Sequence, residues 1–133
     1  MNQPQIDIRL ALTPADFETA KQLILAYVTW LGIDLSFQNF DAEMDQLPTI
    51  YAAPAGGLLL AMVNGEPAGV AGIKPFTGTA CELKRMFVGT GFRNLGIGKQ
   101  LLTEAIALAK NLKYDVIKLD TADFMKAAIG QPL

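Results

Sequence analysis

Cys81-Glu82-Leu83-Lys84-Arg85-Met86-Phe87-Val88, followed after four residues by Arg93-Asn94-Leu95-Gly96-Ile97-Gly98-Lys99-Gln100-Leu101-Leu102, is the most informative stretch of this chain. Its first half is rich in β-branched, aromatic and long apolar residues and carries no helix cap, so it reads as a strand. In its second half a Gly-rich turn opens a helix. After Gly98 the apolar residues fall at Leu101, Leu102, Ala105, Ile106, Leu108, Ala109 and Leu112, which is helical spacing. Strand, Gly-rich turn and helix together aim backbone amides at an anion. The first-turn N–H groups have no intrahelical partner, and the helix dipole favours negative charge there. Gly96 and Gly98 let a ligand approach the backbone, and Arg93 and Lys99 add positive charge. The plainer reading of the two glycines is a tight turn with close helix–strand packing. The dinucleotide fingerprint fails, because no third glycine follows Gly98 at the required spacing. The NTPase phosphate loop fails too, because Lys99 is followed by Gln100.

Working outward, Ile6, Ile8 and Leu10 alternate with Asp7 and Arg9 as a half-buried first strand. Thr13-Pro14-Ala15-Asp16 starts a helix: Thr13 caps it, Pro14 suits the first helical position and Asp16 completes a capping box. Phe17, Ala20, Ile24, Tyr27, Val28 and Leu31 form its apolar stripe, and Gly32 ends it. Residues 34–39 read as a loop. Phe40, Met44 and Leu47 space a short second helix that Pro48 is expected to stop. Residues 58–63 and 67–73 read as strands joined at Asn64-Gly65, the strongest hairpin signal in the chain. Residues 96–112 form the long helix, and Val116, Ile117 and Leu119 a last strand. Three adjacent antiparallel strands followed by strand–helix–strand predict an α/β (α+β) fold: a mixed, mostly antiparallel sheet flanked by helices in one domain over residues 1–133.

Composition narrows the chemistry. The chain has 133 residues, 51% of them hydrophobic, enough for one well-packed core. The formal charge is −2 with no long charge run, which argues against a nucleic-acid surface. No apolar run reaches the ~18 residues that span a bilayer. Met1-Asn2-Gln3-Pro4 lacks a signal-peptide pattern, so a cytoplasmic location is expected. A single cysteine, Cys81, excludes an internal disulfide. The absence of histidine removes Ser-His-Asp and Cys-His catalysis and the commonest zinc ligand, so no metal is expected. A general base must then be a carboxylate, a Tyr, a water chain or a backbone group.

Arg93-Asn94-Leu95-Gly96-Ile97-Gly98 resembles the R/Q-x-x-G-x-G/A signature of the GNAT superfamily of N-acetyltransferases. The strand Glu82-Leu83-Lys84-Arg85-Met86-Phe87-Val88 is similar to the E-L-K-R-L-Y-V strand of one bacterial branch. Gly57-Leu58-Leu59-Leu60-Ala61, Gly65-Glu66-Pro67-Ala68-Gly69 and Leu119-Asp120-Thr121 resemble its second, third and fifth strands, so the likeness covers nearly the whole chain. It implies the acyl-CoA N-acyltransferase fold, with acetyl-CoA as co-substrate. A small amine would attack the thioester directly, and a backbone N–H on the central strand would stabilise the oxyanion.

Carried over by position, Met86, Phe87 and Val88 would border the pantetheine arm. Arg93, Asn94, Leu95, Gly96, Ile97, Gly98 and Lys99 would hold the pyrophosphate. Glu82 would be the catalytic base; its plainer alternative is a surface charge paired with Lys84 or Arg85. Arg85 is itself a candidate structural ion-pair partner. Trp30, Phe37 and Phe40 lie where the family builds its acceptor pocket, with core packing as the alternative, and Trp30 and Phe37 are the substrate candidates. Glu43 and Asp45 could attract an amine, or simply form a solvated helix face. Cys81 reads as a buried strand thiol rather than an acyl carrier. Tyr114 does not match the tyrosine that serves the family as general acid.

After Thr121 the family continues with a helix bearing a Leu-Tyr pair, then Gly-Phe and two strands. Here Met125, Ala127, Ala128 and Ile129 begin that helix and Gly130-Gln131-Pro132-Leu133 ends it, so the fold reads as C-terminally truncated. The last strand would be left as an open edge that invites pairing, and a homo-oligomer, a dimer in the simplest case, is expected. The alternative function is a catalytically impaired CoA-binding or structural oligomeric module of the same fold. No nucleic acid or membrane partner is expected.

Overall fold

A computed structural model describes residues 4–32 and 40–119, with the side chains of Leu31 and Arg93 outside that description. Phe37 and every residue after Leu119, including the expected terminal helix, lie outside the described residues. The elements are β1 (Ile6–Leu10), α1 (Pro14–Leu31), α2 (Phe40–Asp45), α3 (Leu47–Ile50), β2 (Gly57–Val63), β3 (Glu66–Thr77), β4 (Ala80–Val88), α4 (Ile97–Asn111) and β5 (Val116–Leu119). They form a five-stranded sheet in the order β1-β2-β3-β4-β5. The first three pairings are antiparallel, and β4 and β5 are parallel, joined by the α4 crossover. The expected mixed, mostly antiparallel sheet with helices on both faces is what forms.

Alternation along β2 shows why. Leu59, Ala61 and Val63 pack on the α4 side, and Leu58 and Leu60 on the α1 side. A strand covered on both faces is apolar at nearly every position, and this is why Gly57–Val63 reads as a continuous hydrophobic run. On one face Ile97, Leu101, Ala105 and Ala109 of α4 close over the sheet. On the other, Ala20, Ile24 and Tyr27 of α1 join Phe40, Met44, Leu47 and Tyr51. The hairpin at Asn64-Gly65 has φ +51 and +83, the pair of left-handed residues a two-residue turn needs.

The α1 cap is the one its residues specify. Thr13 accepts from the Asp16 backbone N–H at 3.1 Å, and Asp16 Oδ2 accepts from the Thr13 backbone N–H at 3.3 Å. Gly32 closes the helix at φ +70. Two boundaries differ from expectation. Pro48 does not stop the second helix; it sits in the first turn of α3, where its missing N–H is harmless. And β3 runs on to Thr77 through Pro75. Its pairing with β2 ends at Ile73, so Pro75 faces no β2 partner there, and a missing donor is tolerated.

Candidate active site

The site stretch folds as strand, 3-10 turn and helix. Strand β4 ends at Val88, a 3-10 turn spans Thr90–Leu95 with a kink at Asn94, and α4 follows. Gly89 N–H donates to Ala68 O at 2.8 Å, which ties the turn to the start of β3, and Phe92 N–H donates to Gly89 O at 2.9 Å within it. The sequence pointed to a glycine turn here; the 3-10 geometry of residues 90–95 is an addition.

Gly96 is the N-cap of α4 at φ +76, and a Cβ built on it meets nothing within 4 Å. It supplies no side-chain cap, and the first turn holds no acidic residue. The first helical bond at this end runs from Gln100 N–H to Gly96 O at 3.2 Å. The amides of Ile97, Gly98 and Lys99 therefore precede the helical ladder and have no side-chain cap. Lys99 is exposed beside them, while Ile97 and Gly98 are buried and anchor the turn. An open glycine cap, uncapped amides and a nearby cation fit a pyrophosphate. Asn94 and Leu95 are exposed on the same turn, and the Arg93 backbone lies within it.

Met86, Phe87 and Val88 are each at most 3% exposed, so their side chains belong to the core. What they can offer a ligand is backbone. The pairing of β4 with β5 covers Ala80 to Leu83, and residues 84–88 run past the described end of β5.

Glu82 stands near the start of β4, with Lys74 opposite on β3 and Lys118 opposite on β5. Its carboxylate lies 3.8 Å from Lys118 Nζ. The ion-pair partner is thus Lys118, rather than Lys84 or Arg85. Lys118 also sits 4.1 Å from the Phe76 ring centroid. Trp30 is 43% exposed at the end of α1, with its ring centroid 6.3 Å from both Tyr27 and Phe87. It is a half-open aromatic wall against the strand, not a core residue. Phe40 does pack in the core. Cys81 is a buried strand thiol, pushed above its ordinary pKa by burial. Tyr114 donates to Ala55 O at 2.7 Å, which ties the end of α4 to the approach to β2.

Arg85, a candidate ion-pair residue from the sequence, has a partner that sequence reasoning missed, and the pair is buried. Arg85 is 2% exposed. Its Nε and Nη2 donate to the two carboxylate oxygens of Glu43, each at 2.9 Å. The Tyr51 hydroxyl donates to the same carboxylate at 3.0 Å, and the guanidinium lies 5.3 Å from the Phe40 ring centroid. Burial pushes the Glu43 carboxyl up, but the Arg85 hydrogen bonds and charge, with the Tyr51 hydroxyl, outweigh it and hold it below its ordinary value. Burial first, and then the Glu43 charge, push the Tyr51 phenol far above its usual range. The expectation that Glu43 is either a free anionic lure or a solvated face is therefore corrected. Its one sequence signal was an acidic residue between Phe40 and Met44, both core positions.

The Acetyltransferase (GNAT) family model matches residues 24–130, and the chain belongs to this family. An N-acetyltransferase of Schizosaccharomyces pombe is 34% identical over 131 residues, covering 97% of this chain and 80% of that protein. Another, YjgM of Escherichia coli, is 28% identical over 132 residues, covering 96% and 79%. Among solved structures, a GNAT acetyltransferase of Staphylococcus aureus superposes with a TM-score of 0.77 at 28% identity, covering 95% of this chain and 79% of that one. An aminoglycoside N-acetyltransferase in complex with CoA has a TM-score of 0.70 at 20% identity over 97% of this chain and 85% of its own, a likeness of fold. The protein is an N-acetyltransferase, from a family whose acetyl donor is acetyl-CoA. Among the described residues no three His, Cys, Asp or Glu side chains gather as a metal site, and no helix is long and apolar enough to cross a membrane.

Proposed function

We propose that this protein acetylates a small primary amine by direct transfer from acetyl-CoA. The observation that carries the reading is the uncapped, glycine-opened start of α4 placed just after β4. Acetyl-CoA supplies an activated thioester and a pyrophosphate. The amides of Ile97, Gly98 and Lys99 hold the pyrophosphate, with Gly96 giving access and Lys99 and Arg93 adding charge. Asn94 and Leu95 complete the rim. The backbone of residues 86–88 flanks the arm, and an N–H of that strand stabilises developing negative charge. The exposed Trp30 ring forms one wall for the acceptor.

Glu82 takes the proton from the attacking amine, directly or through water, and Lys118 keeps that carboxylate oriented. The same reading includes a homo-oligomer, supported by the exposed Val116 on β5, which is the edge of the sheet among the described residues. The test is release of free thiol from acetyl-CoA against a panel of small amines. Glu82→Gln is expected to lower kcat/KM roughly 100-fold or more while leaving acetyl-CoA affinity unchanged. An undiminished rate in Glu82→Gln would remove Glu82 from the mechanism. If no amine in the panel were turned over, the small-amine reading would fall.

A further inference from the structure

Strand β4 changes face at Arg85. Cys81 and Leu83 pack on the α4 side, and in an unbroken strand the next odd residues would follow them. Instead Met86 and Val88 join that cluster, and Phe87 joins the opposite one. The register gives the cause. Val70 faces Phe87 and Gly72 faces Lys84, so two residues of β4, Arg85 and Met86, stand against the single Ala71 of β3. This is a one-residue bulge, and Arg85 takes it at φ +60, a conformation that L side chains avoid and glycine supplies readily.

No glycine is present at the bulge, so something else must hold it. Left to its own preference Arg85 would return to an extended conformation. The strand beyond it would slip by one residue, and Met86, Phe87 and Val88 would exchange faces. What opposes that slip is the set of contacts at the far end of the side chain: the two-pronged bond to Glu43 on α2, the Phe40 ring, and the Tyr51 hydroxyl behind the carboxylate. With the guanidinium out of water, these contacts specify where Arg85 sits, and its backbone must reach that place.

We propose that Glu43, backed by Tyr51, is a positioning residue for the CoA-binding strand: it holds Arg85 in the left-handed conformation and thereby sets the orientation of residues 86–88. The inference rests on the acetyl-CoA reading above. It gives the α2–α3 segment a role in donor binding without any contact to the donor.

The test is calorimetric titration of CoA into wild type, Glu43→Gln and the double variant Glu43→Gln/Arg85→Gly, with hydrogen exchange followed at the amides of residues 84–88. Glu43→Gln is expected to weaken CoA roughly tenfold and to speed exchange in that segment. Adding Arg85→Gly is expected to recover most of the loss, because glycine adopts the bulge conformation without the network. Glu43→Gln/Arg85→Ala is the control: it too removes the stranded guanidinium but does not favour the left-handed backbone, so it is expected to stay weak, whereas a merely structural pair would be relieved equally by alanine and glycine. If Glu43→Gln fails to fold, Tyr51→Phe, which deletes one hydrogen bond to the same carboxylate, takes its place, with faster exchange at residues 84–88 expected. Wild-type affinity and exchange in the variant, or a double variant no better than the single, would overturn the proposal while leaving the acetyl-CoA reading intact. A folded wild type that does not bind CoA would overturn both.

Discussion

Glu43 is a carboxylate whose folded pKa lies below its ordinary value, despite burial, because Arg85 and Tyr51 surround it. The unfolded chain therefore binds that proton more readily than the folded one. The stability from this pair is complete above the ordinary glutamate value, about 4.3, and is lost as the pH falls through the lowered folded value. Melting curves from pH 6 down to pH 3 should show wild type losing Tm more steeply than Glu43→Gln at the acid end; parallel curves would contradict the assignment. At neutral pH Arg85→Ala should cost roughly 3 kcal/mol by denaturant titration, since it strands a largely buried carboxylate. The sequence offered Arg85 as an ion-pair candidate, but neither its partner nor its backbone conformation was legible there. Arg85 and Glu43 are 42 residues apart, and a positive φ at an arginine has no local signature. The Thr13–Asp16 capping box is the contrast: its two members are three residues apart, and Thr13-Pro14-Ala15-Asp16 announced it.

Helix α4 carries both the uncapped turn proposed to receive the pyrophosphate and one side of the core, so its placement governs the proposed site. It packs closely on β3 at Gly69, where an added Cβ would stand 2.9 Å from Phe87 O and 3.0 Å from Leu101 Cδ1. Gly69→Ala should therefore destabilise by about 1–3 kcal/mol through overpacking. Leu101→Ala, at a fully buried position, should cost about 2–5 kcal/mol through the cavity it leaves. Both are read from chemical denaturation midpoints, and a change within error in either would mean that α4 is not clamped as described. Elements with local or periodic signals were readable: α1 from its cap and stripe, α4 from its spacing, and the β2–β3 hairpin from Asn64-Gly65. The α2–α3 division and the length of β3 were not, because Pro48 and Pro75 are excused by their surroundings rather than by their neighbours in sequence.

At the scale of the molecule, β4 is the strand where the sheet changes character, antiparallel to β3 on one side and parallel to β5 on the other. The α4 crossover that this change requires begins at Gly96, so the topology itself delivers a helix N-terminus to the end of β4. The strand, glycine turn and helix of residues 81–102 were visible in their own pattern, and the mixed sheet followed once the strands on either side were added. Trp30 was named as a substrate candidate only through the family resemblance, and its half-exposed place beside Tyr27 and Phe87 is what the structure adds. The central claim is that the start of α4 receives the pyrophosphate of acetyl-CoA. The most direct measurement is calorimetric titration of acetyl-CoA into wild type and Gly96→Trp, with circular dichroism to establish that both are folded. The account predicts saturable binding by wild type and a loss of about tenfold or more in Gly96→Trp, whose side chain would fill the open approach. Equal affinity in the two proteins, or no binding by a folded wild type, would contradict it.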